Sequence, residues 1–452
     1  MPATTRQKTG RYRSLGHTGP IDLRPTDLNK LKRYLEPDAN IALPIRPQGA
    51  GTASTDCNRC ISGSILHTTG LDRITKIDNY KHTVTAQAGV RIGTLVDELA
   101  KQGLELIGAY DLQGRTLGGA IAAPCFGPVI GNQGAYFSSH VIAMKIVTSS
   151  GKFLNVEPHQ KNLLSAFRQS LGLLGVIYEA TVRVRPIRTF SASHRCLSIE
   201  KFASVVDNLA HGDIGFKFYL LPHRDRIFLD LRRYDSEPGN AFRVPWKIKD
   251  WGESTVLPNV VRSLNRIVPF ASVRYRMIDT ISEATQGLVN TQLVTSGTNA
   301  AAQSQPHRKM SKSTSNYSTW CFPAANFSMI ALAYRDFCTS LYDQSGFRCD
   351  MPTIGYRLCQ DASSLLSPSF DEPMIALTAA STQHSGWDDF VIDFADFAEH
   401  WAGTPILSQS RALHGEYTQH VYANRLDFFS RIRRRLDPEN RLLSPFLAQF
   451  VL

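Results

Sequence analysis

The sequence predicts an α+β fold in which short strands alternate with helices. Three observations support this fold class. Short apolar runs rich in β-branched residues are separated by turns, segments between them place apolar residues at helical spacing, and the composition is 42% hydrophobic and 20% charged. Such a composition is typical of globular proteins and excludes disordered and low-complexity chains. At about 150 residues per domain, the 452 residues correspond to two or three domains.

The first part of the chain is glycine-rich and is predicted to hold several strands and two helices. The strands are predicted at 41–45, 64–68, 83–90, 142–148 and 176–184. The first helix is predicted at 26–34 with Thr26 as its N-cap, because a threonine hydroxyl can accept a hydrogen bond from a free backbone N–H of the first turn. The second helix is predicted at 92–102, where apolar residues recur at helical spacing.

Beyond Pro186 the sequence predicts a second mixed region. A strand, a helix and a strand are predicted within 188–227, helices at 325–342, 387–400 and 423–436, and strands at 352–358 and 374–379. The segment 235–256 contains proline, glycine and tryptophan and is predicted to be irregular. The most polar segment, 296–318, is predicted to be a loop and is a candidate lid over a ligand.

The chain is basic, with a net charge of +11. This charge permits attraction to nucleic acid, an anionic membrane surface or a phosphorylated ligand. The densest basic cluster, Arg431 with 433–435, lies on the predicted helix 423–436 and is interpreted as a solvated helix face. No zinc-finger spacing, RNA-recognition consensus or helix-turn-helix pattern accompanies it, so no nucleic-acid partner is expected. A lipid-headgroup or phosphate-bearing partner stays open.

Three features bear on the compartment. No run of about 18 consecutive apolar residues is present, so no membrane-spanning helix is predicted. Residues 1–16 are polar and basic, which does not fit a secretory signal peptide. Eight irregularly spaced cysteines do not indicate a disulfide framework. The sequence therefore predicts a cytoplasmic protein.

Three glycine-containing segments are candidate ligand-binding loops. Residues 46–54 (RPQGAGTAS) follow a predicted strand, and their two glycines allow a tight turn that points successive N–H groups at an anion. Residues 116–123 (TLGGAIAA) and 172–184 (GLLGVIYEATVRV) allow the backbone to approach a flat ligand closely. Each segment taken alone is also compatible with an ordinary turn.

The order and spacing of these segments, followed by ATVRVRP at 180–186, resemble the FAD-binding domain of the vanillyl-alcohol oxidase / p-cresol methylhydroxylase (PCMH) superfamily. Residues 402–411 and 433–438 resemble sugar-acting members, namely the aldonolactone and alditol oxidases and the decaprenylphosphoryl-ribose oxidase group.

The resemblance implies a domain division. It places a PCMH-type FAD-binding domain of two subdomains at 1–187 and an α+β substrate (cap) domain with an antiparallel sheet at 188–404. A C-terminal segment, 405–452, is expected to return to the FAD-binding domain.

The resemblance also implies FAD as the cofactor, with the first segment at its pyrophosphate and the others along the flavin. The residues implied to contact it are Arg46, Gln48, Gly49, Ala50, Gly51, Thr52, Ala53, Thr116, Gly118, Gly119, Ala122, Gly127, Gly175 and Ile177. Many relatives link FAD covalently through a histidine after the second glycine of the first loop. Thr52 occupies that position and cannot form the bond, so non-covalent FAD is expected.

The catalytic residues of the family are incomplete in this sequence. Alditol and lactone oxidases contain Glu-x-Arg and His-Trp-x-Lys near the flavin. Arg357 matches the arginine and His400 the histidine, whereas Gly355 and Gly403 replace the glutamate and the lysine. Gln409 stands where the decaprenylphosphoryl-ribose pattern has a lysine.

Removing hydride from a C–H bond requires a base or a cation for the adjacent hydroxyl group. The candidates are Arg357, Tyr356, Arg411 and His400, with Arg357 placed first because it lies in a predicted sheet strand. Each of these residues also has a purely structural interpretation.

Cysteines offer two further hypotheses. Cys57 and Cys60 form a C-x-x-C, but no second pair or paired histidines complete a metal site, so no metal is expected. A redox pair and two ordinary loop thiols are the alternatives. Cys125 lies beside the flavin-facing segment and could attach the flavin, although the family's cysteine for that bond lies elsewhere.

The sequence therefore predicts an FAD-dependent oxidoreductase that oxidises an alcohol carbon of a sugar, sugar derivative or lactone by hydride transfer to the flavin. The alternatives are an enzyme acting on a specialised (secondary-metabolite) intermediate and a flavin-binding protein without turnover. A small-molecule substrate is the expected partner, and a homodimer is left open.

Overall fold

The computed structural model describes residues 19–234, 252–291 and 315–451. Most of the predicted irregular segment 235–256 and of the polar loop 296–318 lies outside these residues. The described chain contains helices and three sheets, which confirms the α+β prediction.

The elements are numbered in chain order. The strands are β1 (Ile21–Leu23), β2 (Ile45–Gln48), β3 (Ser64–His67), β4 (Ile74–Asp78), β5 (Thr83–Gln87), β6 (Leu104–Leu106), β7 (Val141–Val147), β8 (Phe153–Val156), β9 (Val176–Pro186), β10 (Phe190–Leu197), β11 (Gly215–Leu221), β12 (Arg226–Tyr234), β13 (Asn316–Pro323), β14 (Thr353–Leu358), β15 (Met374–Ser381) and β16 (Thr404–Pro405). The α-helices are α1 (Leu28–Leu35), α2 (Ile92–Ala100), α3 (Leu117–Ala122), α4 (Lys161–Phe167), α5 (Ile199–His211), α6 (Leu257–Ile267), α7 (Ala271–Thr291), α8 (Phe327–Ser345), α9 (Trp387–His400), α10 (Gly415–Leu436) and α11 (Pro445–Val451).

Two sheets form the N-terminal part of the molecule. Strands β1, β3 and β2 pair in parallel, in that order. The larger sheet has the order β4-β5-β9-β7-β8, with β6 also paired to β9. One core joins this sheet to α2 and α3 and also contains Leu426 of α10 and Phe450 of α11. The end of the chain therefore completes the core of the N-terminal part.

A seven-stranded antiparallel sheet dominates the second part, in the order β10-β12-β11-β14-β15-β13-β16. Because successive side chains of a strand point to opposite faces, each strand contributes to both faces. One face buries Phe218, Trp320 and Leu377 against α5, α8 and α9. The opposite face is turned towards the N-terminal part of the molecule and is called the site face below. The expected boundaries at 187 and 404 stay predictions.

Two predicted element starts are wrong for local reasons. The strand predicted at 41–45 begins only at Ile45, because Pro44 has no N–H with which to donate to a neighbouring strand. Helix α1 is capped by Asp27 and not by Thr26. The Asp27 carboxylate accepts a hydrogen bond from the Lys30 N–H at 2.8 Å.

The last long helix also starts earlier than predicted. Helix α10 begins at Gly415, and its regular geometry is interrupted at Ala423, where φ is 40° and ψ is −131°. The predicted helix 423–436 corresponds to the part that follows this break.

Candidate active site

A cleft in the N-terminal part is lined by all three glycine-containing segments. It has about 800 Å³ of empty space and opens to solvent. Twelve of the fourteen expected cofactor contacts line it: Gln48, Gly49, Ala50, Gly51, Thr52, Ala53, Thr116, Gly118, Gly119, Ala122, Gly175 and Ile177. Folding thus brings segments that are distant in sequence to one site.

The first segment leaves β2 with several backbone N–H groups unused. Among the described residues, nothing accepts a hydrogen bond from the N–H groups of Ala50, Gly51, Thr52 and Ala53. Successive free N–H groups of this kind bind anions. Their place at the wall of the cleft fits the pyrophosphate of an FAD molecule.

The first and second segments touch each other at the cleft. Thr116 is the N-cap of α3, and its hydroxyl accepts a hydrogen bond from the Gly119 N–H at 3.3 Å. A Cβ atom at Gly49 would lie 2.0 Å from the Thr116 hydroxyl oxygen, so only glycine fits there. This glycine lets the two loops approach each other, a role beyond close approach to the ligand.

The third segment forms the remaining wall. Leu171, Gly172 and Gly175 line the cleft immediately before β9, and Val176 and Ile177 line it within the strand. Since β9 is the central strand of the larger sheet and pairs on both edges, this wall is anchored in the middle of that sheet.

Arg46 does not line the cleft, which corrects one expected cofactor contact. Its buried guanidinium donates hydrogen bonds to the carbonyls of Cys57, Leu171 and Leu442. Burial lowers the pKa of Arg46 to about 10, so the group stays protonated at neutral pH. Arg46 therefore holds the first and third segments to the C-terminal segment.

Gly127 is the second expected contact outside the cleft. A Cβ atom at Gly127 would lie 2.2 Å from the carbonyl oxygen of Tyr110, so this glycine permits close packing of two backbone segments. The ring of the preceding residue, Phe126, packs edge-on against Tyr136 and Tyr356, with ring centres 6.2 and 5.5 Å apart.

The far end of the first segment is tied to the second part of the molecule and to the C-terminal segment. The Tyr317 hydroxyl of β13 donates to the carbonyl of Thr52. Ser54 donates from its hydroxyl to Gln409 O at 2.8 Å and from its N–H to Ser408 O at 3.1 Å. Ser408 itself lines the cleft. The cleft therefore ends against the seven-stranded sheet.

The site face of that sheet presents a polar and aromatic cluster. The Asp111 carboxylate oxygen Oδ2 lies 3.0 Å from Lys217 Nζ and accepts a hydrogen bond from the Tyr356 hydroxyl at 3.2 Å. Lys217 Nζ also lies 4.9 Å from the ring centre of Tyr219. The Tyr219 hydroxyl donates to Glu253 at 2.7 Å. Tyr356 is thus the one catalytic candidate that folding brings to this face.

The protonation of this cluster follows from burial and from its mixed charges. Burial acts to lower the pKa of Lys217, but the charge of Asp111 and the neighbouring phenols outweigh it and raise that pKa well above its usual value. Burial raises the pKa of Tyr356. At neutral pH Lys217 is therefore an ammonium group and Tyr356 a neutral phenol.

Arg115 is a cleft residue that the sequence analysis missed. It directly precedes the second glycine-containing segment, lines the cleft, and places Nη1 3.4 Å from Cys125 Sγ. Its pKa is raised, first by the Cys125 thiol and, against burial, by the phenols of Tyr317 and Tyr356. The only signal in the sequence was an arginine beside a glycine pair.

Cys125 is buried, and burial raises its pKa. A thiol with a raised pKa is a poor nucleophile, which does not favour its attachment to the flavin.

Arg357 lies on the wrong face of β14 to act at the cleft, which corrects the first-ranked catalytic candidate. Its guanidinium donates to the carbonyls of Ala210 (2.7 Å) and Gly131 (3.2 Å) and to the side chain of Asn132 (2.7 Å). Ala210 belongs to α5, on the helical side of the sheet. Arg357 therefore joins that helix to the loop at 131–132.

The remaining two catalytic candidates are also outside the cleft. His400 is exposed at the end of α9, with its ring 5.7 Å from that of Trp401. Arg411 lies 3.9 Å from the exposed carboxylate of Asp388. Neither side chain lines the cleft.

The two glycines matched to family catalytic positions do not line the cleft, and the packing around each leaves no room for a side chain. A Cβ atom at Gly355 would lie 2.0 Å from the ring carbon Cζ of Phe218. At Gly403 it would lie 2.8 Å from the carbonyl oxygen of Ala398. Neither a glutamate at 355 nor a lysine at 403 fits without movement of these neighbours.

Residues 19–234, 252–291 and 315–451 contain neither a metal-binding cluster nor a membrane-spanning helix. No group of three or more His, Cys, Asp or Glu side chains could hold a metal ion. No helix in these ranges has the length and apolar character needed to cross a membrane.

Comparison with known families identifies the chain. Residues 21–157 match the FAD binding domain family. Residues 180–450, more than half of the chain, match the family described as D-arabinono-1,4-lactone oxidase. The chain belongs to the D-arabinono-1,4-lactone oxidase family. Its cofactor is FAD, and the two family matches confirm the resemblance to FAD-linked PCMH-type proteins found in the sequence.

Similar proteins support this membership. L-gulono-1,4-lactone dehydrogenase of Mycobacterium tuberculosis is 27% identical over 257 residues, which cover 54% of this chain and 59% of that protein. The match thus spans less than two thirds of that relative. L-galactono-1,4-lactone dehydrogenase, mitochondrial, of Arabidopsis thaliana is 23% identical, covering 93% of this chain and 77% of that protein.

A solved structure with the same fold is cholesterol oxidase from Brevibacterium sterolicum. It superimposes with a TM-score of 0.78, covering 95% of this chain and 94% of that one at 14% sequence identity. At this identity the likeness shows the fold alone.

Proposed function

We propose that this protein oxidises a CH–OH carbon of a sugar 1,4-lactone, with the hydride passing to FAD. The observation that supports this most directly is that the cofactor cleft ends against the site face, at the contact between Thr52 and Tyr317. That face offers hydroxyl, ammonium and carboxylate groups together with aromatic rings. Polar groups of this kind bind sugar hydroxyls, and aromatic rings pack on the apolar face of a sugar ring.

The chain's own residues hold the cofactor and polarise the substrate. FAD, when bound, supplies the hydride acceptor. The free N–H groups of residues 50–53 bind its pyrophosphate, and the three glycine-containing segments enclose the rest. Arg115, which lines the cleft, stabilises the negative charge that develops on the substrate oxygen as its proton leaves.

The proton of the substrate hydroxyl is assigned to Asp111. Tyr356 cannot be the base, because its raised pKa keeps it protonated. Asp111 accepts a hydrogen bond from Tyr356 and is paired with Lys217, so a proton can reach its carboxylate directly or through the Tyr356 hydroxyl. Asp111 and Arg115 thus take over the tasks of the family residues that Gly355 and Gly403 replace.

FAD is proposed to be held without a covalent bond, since Thr52 lines the cleft where relatives have the linking histidine. The test is acid precipitation of the purified protein. Flavin absorbance in the supernatant is the expected result, and yellow protein in the pellet would contradict it.

The reaction is tested by anaerobic addition of L-gulono-, L-galactono- and D-arabinono-1,4-lactone to the FAD-loaded protein. Loss of the visible absorbance of oxidised flavin is expected with at least one lactone. Bleaching by other alcohols but by no lactone would favour the specialised-intermediate alternative. FAD that binds but is reduced by none of them would favour a protein without turnover.

A matched pair of arginine variants separates the proposed site from the rejected one. Arg115→Met is expected to slow flavin reduction by about 10²–10³-fold while FAD stays bound, as when one charge-stabilising donor is removed. Arg411→Met, outside the cleft, is expected to keep the rate of the unmodified protein. Equal rates in both variants would remove Arg115 from the mechanism.

The cytoplasm is proposed as the compartment. All eight cysteines are free thiols, which suits a reducing environment. Fractionation of cells that produce the protein tests this placement.

A further inference from the structure

A helical hairpin belongs to the second part of the molecule, and its second helix contacts β10, β11 and β12. It consists of α6 and α7 joined by residues 268–270. Its inner side buries Val261, Tyr275 and Ile278. Its base is fixed by Arg348, whose Nη2 lies 2.6 Å from the Asp279 carboxylate and 3.1 Å from the carbonyl oxygen of Tyr275.

The outer side of this hairpin exposes large apolar side chains. Ile267 is 75% exposed, Phe270 72%, Val273 50% and Met277 41%. Phe270, Val273 and Met277 are spaced by three and four residues, so they form one stripe along the start of α7. A stripe of this kind on the surface of a protein marks an interaction site more often than isolated apolar residues do.

The charge around the stripe has one sign. Residues 257–278 contain four arginines, at 262, 266, 274 and 276, and no aspartate or glutamate. Arg266 and Arg276 are exposed beside the apolar stripe. The first acidic residue that follows, Asp279, is already paired with Arg348. The outer side of the hairpin therefore combines exposed apolar side chains with positive charge.

We propose that this hairpin binds the surface of a membrane that contains anionic lipids. Amphipathic helices of this composition lie in the membrane interface, with the apolar side chains at the boundary of headgroups and acyl chains and the cations at the lipid phosphates. A second copy of the chain fits this surface less well than an anionic membrane does. A two-fold symmetric contact would place the arginines of one hairpin against those of the other. The hairpin's two carboxylates, Asp279 and Glu283, are already paired with arginines at 224, 226 and 348.

The hairpin is also connected to the site face. Glu253, which accepts the hydrogen bond from Tyr219, precedes α6 by four residues, and Gly287 of α7 lies against the ring of Phe228 in β12. Membrane binding through the hairpin would therefore hold the seven-stranded sheet close to the lipid surface. The proposal does not depend on which substrate is oxidised.

Co-sedimentation of the FAD-loaded full chain with lipid vesicles tests the proposal. Vesicles of phosphatidylcholine with added phosphatidylserine are expected to bind the protein, and pure phosphatidylcholine vesicles to bind it more weakly. Added salt is expected to weaken binding to the anionic vesicles. The double variant Arg266→Gln/Arg276→Gln is expected to bind about 25-fold more weakly, at about fivefold per arginine. Phe270→Ser is expected to weaken binding to both kinds of vesicle.

Matched controls come from exposed positions elsewhere. Arg434→Gln/Arg435→Gln removes two exposed arginines of α10, and Tyr80→Ser removes an aromatic side chain that is 95% exposed. Both are expected to bind vesicles like the unmodified protein. Unchanged flavin content and circular dichroism show that each variant is folded.

Three results would overturn the proposal. One is the absence of binding to anionic vesicles. Another is binding that persists in all hairpin variants. The third is a dimer that Phe270→Ser dissociates while vesicles are not bound, which would assign this face to a second copy of the chain.

Discussion

Restoring a side chain at position 355 tests the packing explanation for the missing family glutamate. A Cβ atom at Gly355 would lie 2.0, 2.2 and 2.5 Å from three carbons of the Phe218 ring. Phe218 is fully buried, with its ring centre 4.8 Å from that of Phe202 and 6.0 Å from that of Phe327. The ring cannot move aside without displacing these neighbours.

The expected cost follows from this geometry. Overpacking a well-filled core costs about 1–3 kcal/mol, so Gly355→Ala is expected to lower the free energy of unfolding by about 2 kcal/mol. For a domain of about 200 residues, a loss of about 2 kcal/mol corresponds to a fall in Tm of about 4–8 °C. Gly355→Glu is expected to destabilise more strongly, because it adds a carboxylate to the helical side of the sheet.

Thermal unfolding followed by near-ultraviolet circular dichroism measures these shifts. Gly19→Ala is the control, since nothing lies within 4 Å of the added Cβ atom. The double variant Gly355→Ala/Phe218→Leu is expected to lose less stability than the sum of the two single variants. A Gly355→Glu protein with unchanged Tm and faster lactone-driven flavin reduction would refute the reasoning, because position 355 would then face the flavin.

Three further predictions concern the site and the fold. Asp111→Asn is expected to slow flavin reduction by about 10²–10⁴-fold with FAD still bound, measured by stopped-flow absorbance. Arg46→Met leaves three buried carbonyls without a donor and is expected to lower the free energy of unfolding by about 2–4 kcal/mol and to weaken FAD binding; urea unfolding and flavin titration measure the two effects. Burial lowers the pKa of His140 to about 4, from about 6.5 in the unfolded chain. Between these two pH values the unfolded state therefore binds more protons than the folded state. The contribution of His140 to the free energy of unfolding is complete above pH 6.5, and it falls by up to about 3 kcal/mol as the pH drops towards 4. His140→Asn is expected to flatten this pH dependence.

The sequence predicted best those elements whose structure depends mainly on their own residues. Helix α9 was predicted with its observed bounds, because its apolar residues keep helical spacing between a glycine and the His400–Trp401 end. The three glycine-containing segments were expected at one ligand, and they do line one cleft. Their glycines lie where two backbone segments approach closely. Such positions can be predicted from the sequence when the glycine-containing segments follow one another in the order typical of a known family.

The catalytic residues could not be predicted in the same way. Strand β14 is packed on both faces, so its residues, TIGYRL, lack the polar–apolar alternation that would show which side chains point towards the cleft. Only the pairing of Tyr356 with Lys217 of β11, and the Phe218 ring above Gly355, reveals that Tyr356 faces the site and Arg357 does not. Arg115 becomes a site residue only through the packing of Tyr317 and Tyr356 near it.

The contacts of the first segment with the C-terminal segment bear on how the protein is made. Arg46 binds the carbonyl of Leu442, and Ser54 and Thr55 bind carbonyls within 407–409. A ribosome synthesises the N-terminal partners of these bonds early and the C-terminal ones near the end of translation. A nascent chain can fold its glycine-containing segments, but it cannot close the cleft until residue 442 has emerged. Stable FAD loading is therefore a post-translational event, and a chain truncated before residue 407 would be released without a closed flavin site.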